Sequence, residues 1–338
     1  MRTKLLAVTL LTAGGLLAAG TAGAQAVITN GTISLGVNTL GQLNFAGVGL
    51  KYNATGNDST VYGCECEGWG AAIASENKTG YANNSVGTAG LSLVSFSSTA
   101  STATSVTRVG SSLEVTHFYH PIAGTPNLYA VDVTITNLSG SGIAAGDLRY
   151  RRVMDWDIPP TTFNELVTIQ GVPALLGIAN GSNIAGTSRD GFSSANPLAS
   201  KNGSLAPTAC APNDANFTDC GPDDHGALFD FVFEALAGGA SLSFTTYYGA
   251  AGTEAGADLA RSMVDGDASD VEIGLYSYGQ PATGGTTGAP NTFIFGFGVS
   301  GGIFVPPPPP GEVAEPGSLA LLGLALAGLG FVRRRHFR

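Results

Sequence analysis

Apolar and polar residues alternate along several segments of the chain, which is the pattern of half-buried antiparallel strands. In the segment 128–138, Tyr129, Val131 and Val133 fall on one face. The same pattern predicts further strands at 113–120, 148–158, 229–233, 242–248, 271–278 and 293–297. Only 253–263 has helical spacing. Many strands and one short helix predict a mainly β protein, a large antiparallel β-sandwich of the supersandwich type or close to it.

Three segments between these strands are rich in turn-forming residues. The Gly/Ser/Thr-rich segment 95–112 is expected to form two polar edge strands and their loop. The segments 178–224 and 279–290, which are rich in Gly, Asn, Pro, Ser and Thr, are predicted to be surface loops.

The beginning of the chain has the composition of a secretory signal peptide. Residues 1–4 are basic, 5–17 are apolar, and 24–26 supply the small residues of a cleavage site, with 22–24 as an alternative. An uncleaved membrane anchor is the other interpretation. We predict a signal peptide over 1–26.

The end of the chain predicts a single membrane helix. A proline-rich spacer, 306–312, precedes the apolar segment 317–332, which stops at Arg333, Arg334 and Arg335. The segment is somewhat shorter than the roughly 20 residues that cross a bilayer, a deficit that local thinning of the bilayer can absorb. The arginines place this end in the cytoplasm and the preceding residues outside it. Residues 27–305 remain as one folded β domain.

The sequence Val313-Ala314-Glu315-Pro316, the Gly/Leu/Ala helix and the arginine cluster resemble the PEP-CTERM sorting domain. The resemblance covers about 313–338, and Ala314 stands where the family has its first proline. It implies an exported protein of a Gram-negative bacterium that makes extracellular polysaccharide. It also implies an anchor in the inner membrane, at least transiently, and processing by an exosortase-type protease before the protein reaches the cell surface or the medium. The implied sorting residues are Glu315, Pro316, Arg333, Arg334 and Arg335.

The charge of the chain argues against nucleic acid as a partner. The formal net charge is −10, from 15 Lys and Arg against 25 Asp and Glu, and several of the basic residues lie in the two end segments. Because a nucleic-acid surface needs clustered basic residues, the acidic middle of the chain is unsuited to one.

The four cysteines predict two disulfides, since an exported protein folds in an oxidising compartment. Cys210 and Cys220 are separated by a short loop and form the most plausible pair, which leaves Cys64 to pair with Cys66. A four-cysteine metal site is the alternative, but the two C-x-x-C motifs of such sites are missing from the sequence.

Two clusters carry candidate chemistry. The first, 63–70, contains Glu65, Glu67 and Trp69, and the second, 149–160, contains two aspartates around a tryptophan. On a strand, Asp155 and Asp157 would point from the same face, about 6.5–7 Å apart. That separation is near the separation of the two carboxylates of a glycosidase. In that interpretation Trp69 or Trp156 would stack on a sugar ring.

Structural roles explain the same residues without catalysis. Arg149 and Arg151 would share the face of Asp155 and Asp157, so a ladder of salt bridges accounts for the charges. The acidic loops at 223–225 and 265–272 could hold Ca²⁺, although neither has the spacing of an EF-hand, and solvated turns are the simpler interpretation. We therefore predict no catalytic residue, no cofactor and no metal centre.

These observations favour a non-enzymatic exported surface or matrix protein that could contact extracellular polysaccharide. A carbohydrate-active enzyme using Asp155 and Asp157, or Glu65 and Glu67, is the first alternative. A carbohydrate-binding or Ca²⁺-binding module is the second. Convergence of the tryptophans and the paired carboxylates on one open cleft would favour the alternatives.

Overall fold

The structure is a computed structural model, and it describes residues 25–172, 183–266, 273–283 and 288–298. Most of the predicted signal peptide, the proline-rich spacer, the membrane helix and the sorting residues lie outside these ranges. Among the residues that are described, no helix has the length and apolar character of a membrane span.

Three antiparallel sheets contain the strands of the described ranges. The smallest sheet has the order β1 (Ala26–Thr29), β2 (Ile33–Val37) and β3 (Leu50–Tyr52). The five-stranded sheet has the order β12 (Ile184–Ser188), β14 (Gly226–Val232), β10 (Leu148–Asp155), β4 (Gly68–Ile73) and β5 (Lys78–Asn83). The nine-stranded sheet has the order β13 (Phe217–Asp223), β11 (Glu165–Gln170), β16 (Leu275–Pro281), β17 (Thr292–Phe297), β15 (Ser241–Ala251), β9 (Leu128–Asn137), β8 (Leu113–Pro121), β7 (Ala103–Val109) and β6 (Leu91–Ser98).

The two larger sheets pack against each other through aromatic side chains. Phe229 and Phe231 of β14 contact Phe295, Phe297 and Phe244 of the nine-stranded sheet, with ring centroids 4.7–5.8 Å apart. Pairs at these distances add to the stabilisation that burial itself provides. The apolar residues of the three-stranded sheet belong to the same core. A mainly β, antiparallel protein is therefore confirmed, with three sheets where a sandwich of two was expected.

One α-helix, α1 (Glu254–Ser262), lies against the nine-stranded sheet. The hydroxyl of Thr253 caps it by accepting a hydrogen bond from the backbone N–H of Gly256, and Ala257 and Ala260 form its buried face. A 3₁₀ turn at Ala74–Glu76 links β4 and β5. The helix predicted at 253–263 is confirmed to within one residue at each end.

Two loop predictions need correction. The segment 178–224 contains β12 and β13, and the turns between them bury Asp190, Ser193 and Ala195. These turns pack on the five-stranded sheet, where backbone carbonyls of the segment accept hydrogen bonds from Arg151. In the segment 279–290, β16 continues to Pro281. By contrast, two strands are present where an edge pair was expected at 95–112. Only β6, which already begins at Leu91, is an edge strand, whereas β7 lies between β6 and β8.

The structure pairs the cysteines as the sequence predicts. The Cα atoms are 5.1 Å apart in Cys64–Cys66 and 5.5 Å apart in Cys210–Cys220, both within the range of a disulfide. The second pair attaches the turns that follow β12 to strand β13.

Candidate functional site

Glu67 and Trp69 of the first sequence cluster are buried between the two large sheets. The ring of Trp69 is fully buried, and its Nε1 donates a hydrogen bond to the carbonyl of Leu40 at 2.8 Å. The rings of His117 and Tyr150 cover it, with centroids 4.3 and 6.0 Å from its own. Because the ring is covered, a sugar cannot stack on Trp69 as the carbohydrate interpretation requires.

Glu67 forms a fully buried ion pair with Arg152 of β10. Arg152 Nε donates to Glu67 Oε1 at 2.7 Å, and the hydroxyl of Tyr248 donates to the same oxygen at 2.6 Å. The backbone N–H of Leu43 donates to Oε2 at 2.6 Å, so both carboxylate oxygens have donors. Burial opposes the charge of Arg152, but the neighbouring Glu67 carboxylate still raises the pKa of the guanidinium. Glu67 directly precedes β4 and Arg152 lies in β10, which are neighbouring strands of the five-stranded sheet, and Tyr248 of β15 connects the pair to the nine-stranded sheet. The pair has a structural role.

Glu65 does not join Glu67 in a carboxylate pair. Its side chain is partly exposed, and its Oε2 accepts a hydrogen bond from Asn84 Nδ2 at 3.1 Å. Since Glu67 points into the core and is occupied by Arg152, the two glutamates lie in different environments. The carbohydrate-active alternative loses this candidate pair.

Trp156 of the second cluster also lies in the core. It is fully buried, and its Nε1 donates to the hydroxyl of Ser277 at 3.1 Å. Its ring lies flat against Gly279, where a Cβ atom would be only 2.5 Å from the indole. The glycine is therefore required by the close approach of strand β16 to the ring.

Asp155 and Asp157 do not form the predicted ladder of salt bridges. Arg151 pairs instead with its cross-strand neighbour Asp230, through Nε–Oδ1 at 2.6 Å and Nη2–Oδ2 at 2.9 Å. Within the described ranges, no ion pair involves Asp155 or Asp157. The reason is that β10 ends at Asp155. The chain then leaves the five-stranded sheet, and the strand alternation assumed for Asp157 does not continue.

The structure brings Asp155 and Asp157 together with Asp224, which the sequence placed in a separate loop. One carboxylate oxygen of each of the three lies within 4.8 Å of the others. Asp155 pairs with Gly226 in the register of β10 and β14. Asp157 and Asp224 each lie two residues beyond that last pair, on the two segments that leave the strands. We call Asp155, Asp157 and Asp224 the acidic cluster.

The acidic cluster lies where the chain twice crosses between the two large sheets. One crossing leads from β10 to β11, which begins at Glu165, and the other leads from β13 to β14. Glu165 pairs with Asp223 on the nine-stranded side, as Asp155 pairs with Gly226 on the five-stranded side. The two crossings therefore run antiparallel beside each other and carry acidic residues on both.

Glu165 was not identified from the sequence, yet it is a neighbour of the acidic cluster. It is fully buried; its Oε1 accepts from the backbone N–H groups of Ile158 and Phe163 at 3.1 and 2.6 Å, whereas Oε2 has no hydrogen-bond partner. The available signal was a lone carboxylate directly before the alternating segment 166–170. A charged residue at the start of a strand with a buried face indicates that its side chain has a binding partner elsewhere in the fold.

The buried acids hold protons that ordinary carboxyl groups release. Burial raises the pKa of Asp155 to about 9, and the charges of Asp157, Asp224 and Asp190 add to the effect. Burial and then Glu165 raise the pKa of Asp157 to about 8, and burial raises the pKa of Glu165 to about 8. In the opposite direction, burial and then Arg189 lower the pKa of His225 to about 4.

Such a site offers carboxylate oxygens but little access to a large substrate. Asp155 and Asp157 expose 1% and 0% of their surface, and Asp224 is the partly exposed member. A sugar would have to reach the two buried carboxylates to be cleaved by them. The arrangement suits a ligand as small as an ion.

Residues 312–335 match the family model of the PEP-CTERM protein-sorting motif. The chain ends in a PEP-CTERM motif. This motif contains Glu315, Pro316 and the three arginines 333–335, and it indicates an exported, cell-surface-directed protein that is sorted through exosortase-type machinery. A search of the curated proteins finds no match to the chain.

Proposed function

We propose that the chain is an exported cell-envelope or extracellular-matrix protein of a Gram-negative bacterium without catalytic activity of its own. A signal peptide at 1–26 directs export, and a helix at 317–332 holds the protein in the inner membrane. An exosortase-type protease then processes the tail. The observation that carries the proposal is the PEP-CTERM motif at 312–335.

The described domain supports a non-enzymatic role. Trp69, Trp156, Glu67, Asp155 and Asp157 are all buried, and they do not line one open cleft. A carbohydrate-active site needs carboxylates and aromatic rings that a saccharide can reach. An extracellular polysaccharide would therefore meet the outer surface of the domain, as a matrix component does.

The sorting part of the proposal is tested by fractionating cells that make the full chain and an exosortase-type protease. The variants are Glu315→Ala and the triple change Arg333/Arg334/Arg335→Ala, and Arg338→Ala, which lies beyond the matched motif, is the control. We expect both motif variants to accumulate as unprocessed, membrane-associated chain, while the control is processed as the wild type is. Wild-type processing and distribution of both motif variants would refute sorting through this tail.

A further inference from the structure

We propose that Asp155, Asp157 and Asp224, with Glu165 beside them, bind Ca²⁺ at the junction of the two large sheets. The proposal concerns the β domain alone and does not depend on how the tail is processed.

The separation of the oxygens fits a single calcium ion. Calcium is bound by six to eight oxygens at about 2.3–2.6 Å, so two oxygens on one ion lie at most about 5 Å apart. One oxygen from each member of the acidic cluster meets this limit, with all separations within 4.8 Å. Backbone carbonyls and water complete the coordination in typical calcium sites.

The buried carboxylate of Asp157 has no hydrogen-bond partner, which is evidence for a ligand beyond the proximity of the acidic groups. Its side chain is fully buried, and both of its carboxylate oxygens lack a hydrogen-bond partner. One oxygen each of Asp155, Asp224 and Glu165 is also buried without a partner. Buried carboxylates are normally hydrogen-bonded, paired with a cation or bound to a metal. Asp157 points into the acidic cluster and satisfies neither of the first two conditions.

The basic side chains near the junction are already engaged elsewhere. Arg151 pairs with Asp230, and Arg189 pairs with Asp223. In the ranges that the structure describes, no ion pair reaches Asp155, Asp157, Asp224 or Glu165. Within these ranges, therefore, no basic side chain is positioned to balance the four groups once they lose their protons, and a cation from solvent would supply that charge.

The backbone around Asp155 holds the acidic cluster in place. A Cβ atom at Gly191 or at Gly226 would lie 2.7 or 2.8 Å from the Cα atom of Asp155. Both segments can therefore approach the backbone of Asp155 this closely only because they have glycine at these positions. The backbone N–H of Asp157 donates to the carbonyl of Ser59 at 2.8 Å, which fixes the next part of the crossing. Asp224 is partly exposed and leaves a route for an ion from solvent.

A calcium ion at this place would join the two crossings of the chain. Asp155 and Asp157 belong to the β10–β11 crossing, and Asp224 belongs to the β13–β14 crossing. Coordination would replace repulsion between adjacent carboxylates with a shared bond to one ion. Calcium is therefore expected to stabilise the packing of the five-stranded sheet on the nine-stranded sheet.

The test uses the full chain, purified in detergent and stripped of metal with a chelator. Thermal unfolding and calorimetric titration are measured with CaCl₂ and, separately, with MgCl₂. Extracellular calcium sites have Kd values of about 10⁻⁴–10⁻³ M. We expect CaCl₂ at ten or more times Kd to raise the Tm by several degrees, because a ligand that binds only the folded state stabilises it.

Two variants and one control decide the assignment. Asp224→Asn changes the partly exposed ligand and is expected to weaken Ca²⁺ binding at least tenfold, and Asp157→Asn is expected to abolish it. Glu76→Gln removes an exposed carboxylate that pairs with Lys78, and its response to Ca²⁺ should equal that of the wild type. If Asp157→Asn fails to fold, Asp224→Asn alone gives the result.

Three results would overturn the proposal. They are a wild-type Tm that Ca²⁺ does not change, an undiminished Ca²⁺ response in Asp224→Asn, and a response to Mg²⁺ equal to that to Ca²⁺. The last result would indicate general screening of negative charge and not a site with the dimensions of calcium.

Discussion

Replacing Glu67 by Gln removes the only negative charge that the structure shows in contact with the buried guanidinium of Arg152. Gln is close to Glu in size, so the change leaves a buried cation without a counter-ion and adds little steric strain. Breaking a buried pair in this way typically costs about 3–5 kcal/mol. Since folded domains are stable by about 5–15 kcal/mol, we expect Glu67→Gln to remove roughly a fifth or more of the stability.

Urea denaturation of the full chain in detergent measures this effect. Trp69 packs against His117 and Tyr150 beside the ion pair, so tryptophan fluorescence reports the loss of this packing. A lower midpoint with an unchanged slope would show that the folded state has lost stability. The control is Glu76→Gln, in an exposed pair, which should change the free energy of unfolding by less than about 0.5 kcal/mol.

A second variant separates loss of charge from loss of packing. The double change Glu67→Gln/Arg152→Met removes both charges and should be more stable than Glu67→Gln alone, because the uncompensated cation is gone. A loss below about 1 kcal/mol in Glu67→Gln would refute the reasoning. A double variant that is less stable than the single one would do so as well.

Three further predictions concern the junction and the histidine next to it. In chelator, the pKa of Asp157 is about 8 in the folded chain and near 3.8 in the unfolded chain. The wild type should therefore lose stability relative to Asp157→Asn as the pH rises from 4 to 8, by roughly 1.4 kcal/mol per pH unit. A difference in the free energy of unfolding that does not change with pH in urea denaturation would contradict this. The pKa of His225 is about 4 in the folded chain, below the ordinary value of 6.5. The wild type should therefore lose up to about 3 kcal/mol of stability relative to His225→Gln as the pH falls from 6.5 to 4. Equal loss of stability in acid for both proteins would contradict this prediction. Gly279→Ala should lower the Tm, at a cost of about 1–3 kcal/mol, because the new Cβ atom would press on Trp156. Gly274→Ala is the control, since its Cβ atom would meet open space, and it should cost less. Equal melting temperatures of the two variants would refute the contact between Gly279 and Trp156.

The sequence is most informative where a strand has one buried face. In β9, Val131, Val133 and Ile135 are fully buried while the residues between them are not, and the alternation of apolar and polar residues alone predicts this. Arg152 occupies the same inward face of β10 as Tyr150 and Met154. Its counter-ion cannot be identified from the sequence, because Glu67 lies 85 positions earlier in the chain and comes beside Arg152 only when β4 and β10 pair in the five-stranded sheet.

The sequence predicts only part of the acidic cluster, for a related reason. Asp155 and Asp157 stand out for their spacing, but a strand that continued past Asp155 would give them different neighbours from those they have. Asp224 comes close to Asp155 and Asp157 because β10 and β14 pair with Asp155 beside Gly226. That register depends on packing between segments about 70 residues apart. Local spacing does not encode it.

The tail and the domain lead to the same cellular location by independent routes. The PEP-CTERM motif indicates export, and the pairs Cys64–Cys66 and Cys210–Cys220 are stable as disulfides only outside a reducing cytoplasm. The proposed Ca²⁺ site would add a third feature that is completed after export, because its buried carboxyl oxygens have no partner in the described protein until an ion binds. A domain that gains stability from oxidation and from calcium is least stable in the compartment where it is made. The signal that exports it and the chemistry that stabilises it are therefore consistent with folding that is completed at the cell envelope.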